Sequence, residues 1–334
     1  MSDQVLLHID GKDVAASDGG EFEVRNPATG QLLHTVADGT ADDVDRAVRA
    51  GRAAFDDGRW RDIPARARAR VLNRAAAELA EWVDEYARTE TAQIGRPVRE
   101  MRAQLARLPE WLEYFGAVAQ TAEGTSPDFG ADHLNVVRRV PLGVVGLITP
   151  WNHPLLITMK KLAVALAAGN SLVLKPSELG PVVPGRLITL LEEAGVPPGV
   201  LNFVPGLGQT TGRALTEHRG IAKLDITGGT ETGRNIAATA GHALIPVTAE
   251  LGGKAPVLVF DDVDIDAAVA GALFAAFIAT GQTCVQGARS WYRAISMSRF
   301  PRVSSSARND SASGIHSMST RRSVRWCHRR NATR

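Results

Sequence analysis

Apolar positions fall into two textures along the chain. Up to about residue 117 they recur mostly at helical spacing; from Val140 they gather into strand-length runs that alternate with helix-length segments. Ahead of the helical region, residues 5–36 read as short strands and turns. Asp10-Gly11 makes a hairpin signal, and Pro27-Ala28-Thr29-Gly30 makes a turn before an apolar run. A helix is predicted over 40–57. Thr40 is placed to cap it, Asp42 and Asp43 fall in its first turn, and Val44, Ala47, Val48, Ala50 and Ala54 keep the helical period. Two more helices are expected over 64–90 and 97–117, separated near Gly95-Arg96-Pro97, then a loop over 121–133 and the start of a strand over 134–143.

The second texture reads as strand then helix, repeatedly. Strand-length runs at 143–148, 171–175, 201–204, 221–227, 245–251 and 255–260 are interleaved with helical segments at 154–168, 183–195, 209–218, 230–241 and 264–278. Continuous apolar strands, each followed by a helix, predict an α/β fold: a Rossmann-like, doubly wound parallel sheet covered on both faces.

Composition narrows the partners. Of 334 residues, 44% are hydrophobic, enough for a large α/β domain with an appendage or for two domains. No run of 18 or more apolar residues occurs, so no transmembrane helix is predicted. The start of the chain has neither a basic n-region nor a long apolar stretch, which argues against a secretory signal. The two cysteines, Cys284 and Cys327, give neither a disulfide framework nor a zinc-ligand set, and a reducing cytoplasm is the expected location. The net charge of +2 hides an asymmetry: residues 291–334 hold ten Arg and one acidic residue, while the 28 basic and 35 acidic residues of 1–290 leave that part at −7. Nucleic acid is therefore not an expected partner of the body.

The last stretch differs in kind. Residues 291–334 carry ten Arg and ten Ser without a sustained period. One reading is a basic arm for nucleic acid or an anionic membrane; the other is an out-of-frame translation of a GC-rich gene. The abrupt change directly after a strong motif favours the second, and such a composition is not expected to fold alone.

Several short motifs bear chemistry. In GQTCVQGAR (281–289) a cysteine between glycines is either an exposed nucleophile on a turn or a structural thiol. In TAELGGKAP (248–256) Glu250 ends an apolar strand before two glycines, as a base or as a turn-capping residue. In ITPWNHPLL (148–156) Asn152 sits between strand and helix, where its amide can serve a developing oxyanion or merely form the turn. LVLKPSE (172–178) puts Lys175 at a strand's C-terminal end. DITGGTETGR (225–234) and PGLGQTTGRAL (205–215) offer glycine-rich turns that either cradle phosphate or simply connect elements.

Taken together, in order, type and spacing, these motifs resemble those of the aldehyde dehydrogenase superfamily over roughly residues 5–289. The 34-residue interval from Glu250 to Cys284 fits as well. The resemblance implies oxidation of an aldehyde to an acid with NAD, or with NADP as the alternative. Cys284 would attack the carbonyl to give a thiohemiacetal, with Asn152 and the Cys284 backbone N–H facing the oxyanion. Hydride transfer would leave a thioester, which Glu250 would hydrolyse as general base. Lys161 matches a lysine of the active-site region. Cofactor contacts are implied for Ile148, Thr149, Pro150, Trp151, Lys175, Ser177, Glu178, Gly208, Gly212, Thr227, Gly228, Gly229, Thr230, Leu251 and Gly252. Glu178 would hydrogen-bond the ribose 2′-hydroxyl, which favours NAD; no metal site is implied.

By the same resemblance, residues 1–117 and 142–250 form the NAD(P)-binding domain, 118–141 the oligomerisation segment, 251–289 the start of a catalytic domain, and 290–334 an atypical tail. Departures also carry expectations. His153 and Lys160 stand where aromatic residues commonly line the aldehyde tunnel, which points to a polar or acidic aldehyde. The family's later Glu-x-Phe-Gly-Pro motif and its last oligomerisation strand have no counterpart, although an intact member is expected to be a homo-oligomer. The chain as written is therefore expected to turn over little or not at all, the alternative being a non-catalytic nucleotide-binding remnant.

Overall fold

A computed structural model describes residues 4–260 and 262–292. Its centre is a seven-stranded sheet. The parallel part runs β10 (Val247–Leu251), β9 (Lys223–Gly228), β6 (Val144–Ile148), β7 (Ser171–Lys175), β8 (Leu201–Phe203), and the antiparallel hairpin β2 (Leu7–Ile9) and β3 (Lys12–Val14) extends it at one edge. Asp10 and Gly11 both take positive φ in that hairpin's two-residue turn, as the Asp-Gly signal predicts. A smaller sheet joins β1 (Gln4–Val5), β5 (Leu32–Ala37) and β4 (Glu21–Arg25).

The central strands bury both faces, and alternation sorts their residues. Val145 and Leu147 of β6 and Leu172 and Leu174 of β7 point to a cluster with α2 (Ala65–Ile94), α3 (Val98–Leu105), α5 (Pro154–Ala167) and α6 (Val182–Glu193). Val144, Val173, Leu224 and Ile226 point the other way, to a cluster with α1 (Ala41–Asp56), α7 (Arg213–Glu217) and α8 (Thr230–His242). Local signals explain the helices. Thr40 and Asp43 form a reciprocal capping box on α1, Gly95 closes α2 in the left-handed conformation, and Pro154 occupies the first turn of α5.

Three expectations change. The helix expected over 97–117 is two, because Pro109 cannot continue α3 and instead starts α4 (Pro109–Thr121). No strand forms over 134–143; the segment folds on itself through isolated bridges, Thr125 to Val137 and Asp128 to Leu134, and leaves Leu134, Val136 and Val140 exposed. At the far end, β11 (Ala255–Val259) pairs in parallel with β12 (Gly287–Tyr292), with α9 (Ile265–Phe277) between them in the chain. β12 therefore runs two residues into the stretch that composition sets apart from 291. The remainder of that tail, with both readings of it, lies outside the described residues. Among the described residues no helix is long and apolar enough to cross a membrane.

Candidate active site

Strand order fixes where a ligand cleft opens. From β6 the chain steps one way through β7 and β8, then returns to the other side of β6 for β9 and β10. Such a reversal leaves a crevice outside the carboxyl ends of the central strands. A cleft of about 1850 Å³ opens there, lined by the residues that follow β6, β7, β9 and β10.

One half of this cleft suits a dinucleotide. The first turn of the 13-residue α8 opens into it at Gly228, Gly229 and Thr230, and its N-cap Gly229 has no side chain to occupy the free backbone N–H groups. Lys175 lines the cleft at 4% exposure. Burial draws its ammonium below the ordinary lysine range, against the opposing pull of Glu178 and Asp38, and Glu178 lies 3.8 Å from its Nζ. A Cβ at Gly208 or Gly252 would meet no protein atom within 4 Å, so the space in front of these glycines is not needed by packing. Every residue that the sequence assigns to the cofactor lines this one cleft.

The other half holds the thiol. Cys284 is exposed, is a free cysteine, and lines the cleft together with Asn152. Asn152 Nδ2 donates to the backbone carbonyl of Gln282 at 2.6 Å, which ties the turn after β6 to the segment carrying Cys284 across 130 residues of sequence. That segment is strained: Ala279 and Thr280, neither of them glycine, and then Gly281 take successive left-handed conformations. Each non-glycine residue so placed costs about 1–2 kcal/mol. The compensating bonds come from the body of the fold. Glu100 accepts the Ala279 N–H at 3.0 Å, and His153 Nε2 lies 3.0 Å from the Thr283 hydroxyl.

Two residues assigned to catalysis are not brought to the cleft wall. Lys161 is buried under the sheet and ion-paired with Asp225. Asp225 is a charge on an interior strand facing α5, so it requires a counter-ion, and Lys161 is accounted for by that structural need. Glu250 pairs in register with Thr227, which does line the cleft, but Glu250 is exposed and outside the lining. β10 is the edge strand of the sheet. Its neighbour Leu251 turns onto Gly233 of α8, so alternation sends Glu250 to the opposite face. The polar-tunnel expectation changes in part. His153 lines the cleft beside Asn152 but is 7% exposed with both ring nitrogens engaged by protein groups, and Lys160, outside the lining, is exposed with its ammonium over the Trp111 ring at 5.2 Å.

Sequence reading missed the polar group behind the thiol, made by Glu90, Arg96, Glu100, Gln104 and His153. Four of its members lie close together around the α2–α3 corner, but His153 is 49 residues beyond Gln104, and Gly95-Arg96-Pro97 signals only a helix break. The one legible sign is His153 itself, in a position where the resemblance leads one to expect an aromatic ring.

Fold and site together define an open, doubly wound α/β protein with a thiol at the mouth of its switch-point cleft. The chain belongs to the aldehyde dehydrogenase family, whose pattern residues 14–300 match. DhaS of Bacillus subtilis (strain 168), which carries an aldehyde dehydrogenase name, is 39% identical over 284 residues, 85% of this chain. The solved NAD+ complex of an aldehyde dehydrogenase from Bacillus cereus is 32% identical with a TM-score of 0.95, over 98% of this chain and 67% of that one. An NAD-dependent aldehyde dehydrogenase from Sinorhizobium meliloti is 31% identical with a TM-score of 0.96, over 99% and 66%. This chain spans 57% of the length of DhaS.

Proposed function

We propose that the chain binds NAD in the switch-point cleft and presents Cys284 as the nucleophile of an aldehyde-oxidising reaction. The observation that carries this reading is the bond from Asn152 to the Gln282 carbonyl. A primary amide has two N–H donors. One holds the cysteine-bearing segment, and the other remains for the oxygen of a carbonyl attacked by the sulfur. Residues 1–117 and 142–250 are read as the nucleotide-binding part, and 251–289 as the beginning of the part that carries chemistry.

In this reading the α8 N-terminus takes the pyrophosphate, and Lys175 and Glu178 take the adenosine ribose. The Glu178 carboxylate would repel a 2′-phosphate, which favours NAD over NADP. When bound, the cofactor supplies the hydride acceptor. Cys284 Sγ adds to the aldehyde carbon, forming a C–S bond while the carbonyl π electrons move to oxygen. Asn152 donates to that oxygen, and electrostatic stabilisation of this kind is the largest single contribution in many acyl transfers. After loss of hydride the carbon is a thioester, and water activated by Glu250 completes the acid and frees the thiol. Glu250 is exposed on the edge strand, in register with the cleft residue Thr227, and we expect turnover by the chain to be low. The same exposed placement of Glu250 favours the second reading, a nucleotide-binding protein without turnover.

The test is absorbance of the reduced cofactor with the full chain, NAD or NADP, and an aldehyde panel. A slow rate abolished by Cys284→Ala supports the enzyme. Nucleotide binding with no rate supports the second reading, and absence of nucleotide binding overturns both. We also read 118–141 as the contact for a second copy, from its exposed Phe129, Leu134, Val136 and Val140. Light scattering that shows a dimer or larger for the parent and a smaller species for Leu134→Lys would support that contact; a monomeric parent would exclude it.

A further inference from the structure

Behind Asn152 and Cys284 lies a row of buried polar side chains that the reaction above does not use. Arg96 is 3% exposed and follows the C-cap of α2. Its Nη1 lies 2.8 Å from His153 Nδ1 and donates to Gln104 Oε1 at 3.0 Å, and its Nη2 donates to Glu100 at 3.3 Å. A guanidinium has donors only. His153 Nδ1 is therefore the acceptor, the single ring proton sits on Nε2, and Nε2–H points to the Thr283 hydroxyl at 3.0 Å. Gln104 Nε2, 3.1 Å from Nδ1, is a second donor to the same nitrogen.

We propose that Arg96 and His153 form a positioning relay that holds the Cys284 turn through Thr283, so that His153 places the nucleophile and does not meet the aldehyde. The proposal rests on the reading of Cys284 as nucleophile. The strained turn at Ala279–Gly281 persists only where its surroundings over-determine it. The layer that carries it has a small core, in which Val259 and Val269 are the buried members. Glu100, Asn152 and His153 each bond the turn from the body of the fold, and Arg96 binds two of these three.

The charges facing His153 keep it in one form. Arg96, Glu100 and Gln104 face it from the α2–α3 corner, Lys160 from α5, and Thr283 from the turn, while the buried Glu90 carboxyl of α2, whose pKa burial raises, lies behind Arg96. Burial, then the positive charges of Arg96 and Lys160, bring the imidazole down to about 3, so the ring stays neutral across the working range of an enzyme.

Hydrogen exchange of peptides spanning 278–286 and nitrogen NMR of the His153 ring, both on the full chain, test the relay without needing turnover. His153→Phe fills the site but cannot donate; exchange in 279–286 should rise about fivefold or more, with β6 and β7 unchanged. His153→Gln restores a donor toward Thr283 and should return exchange to within about twofold of the parent. Thr283→Val removes the partner hydroxyl from the other end and should match the Phe variant, which covers the case where that variant misfolds. In the parent the ring should show the Nε2–H tautomer unchanged from about pH 5 to about pH 8, and Arg96→Gln should move its titration upward, by less than a return to the ordinary histidine range because burial remains. Parent-like exchange in both His153→Phe and Thr283→Val, failure of Gln to rescue, or a parent ring that titrates in the window would overturn the relay. NAD affinity should be the same in parent and His153→Phe. Loss of NAD binding by the parent would instead count against the proposed function and leave the exchange result standing.

Discussion

The sheet body and the layer that bears Cys284 are built by the same patterning rule and end in different states. In the body, α1 and α2–α8 cover both faces of the sheet, and Leu147, Leu174 and Phe203 are sealed at 1% exposure or less. In the layer, α9 and the β11–β12 pair bury Val259 and Val269, while Leu258, Phe260, Phe274 and Trp291 stay more than half exposed. Cys284 thus sits on the weaker region, and the turn that carries it is tied by bonds from the stronger one. Placement of a reacting group can be borrowed from a neighbouring core by a few well-directed hydrogen bonds, and those bonds then become the vulnerable points.

The widest gap between the two regions should appear on truncating a core side chain in each. Leu174→Ala is expected to destabilise the body by about 3–5 kcal/mol, read as a shifted urea midpoint. Val269→Ala should leave that midpoint nearly unmoved and speed exchange only within the layer. Equal shifts from the two variants would show that body and layer unfold as one unit.

A smaller effect is expected at the junction. Glu90 accepts the backbone N–H of Leu155 at 2.6 Å, its other carboxylate oxygen has no partner, and burial raises its pKa from 4.5 to about 8. Between those values the folded chain holds a proton that the unfolded chain has released, so stability from this group is complete below 4.5 and is lost as pH rises through about 8. Glu90→Gln keeps the bond and removes the titration. It should add about 2–4 kcal/mol at about pH 9 and close to nothing at about pH 4, by thermal or urea unfolding. A gain that is the same at both pH values would mean that the carboxyl is not protonated in the folded state.

The smallest effect concerns strain in the body itself. Leu244 follows α8 at φ 55° and is 90% exposed, where helices usually place glycine. Leu244→Gly should stabilise by about 0.5–1 kcal/mol, seen as a raised melting temperature. A loss would indicate that the leucine side chain has a packing role that its exposure hides.

Much of the body was legible because it obeys local rules. The Asp10-Gly11 hairpin, the Thr40 cap and the run of buried strands over 144–203 are each set by a few adjacent residues, and the same residues recur in the structure. That these glycines and Lys175 would gather around one cleft was legible for a related reason, since they stand at the carboxyl ends of strands. The break at Pro109 follows a local rule as well, since proline cannot continue a helix. What escaped depends on residues brought together only by the fold. The sequence gives no sign that Arg96 will meet His153, or that Lys161 is held by Asp225. Glu250 is the instructive case: its place in the chain is as the family motif requires, yet its side depends on whether strand alternation turns Glu250 or Leu251 toward α8.

The central claim is that Cys284 opens into the cleft that holds the dinucleotide. The direct measurement is the rate at which iodoacetamide modifies Cys284 in a Cys327→Ser chain, followed by mass spectrometry with and without saturating NAD. The account predicts that NAD slows the modification several-fold and that Lys175→Met weakens this protection. An unchanged rate in a chain independently shown to bind NAD would contradict it.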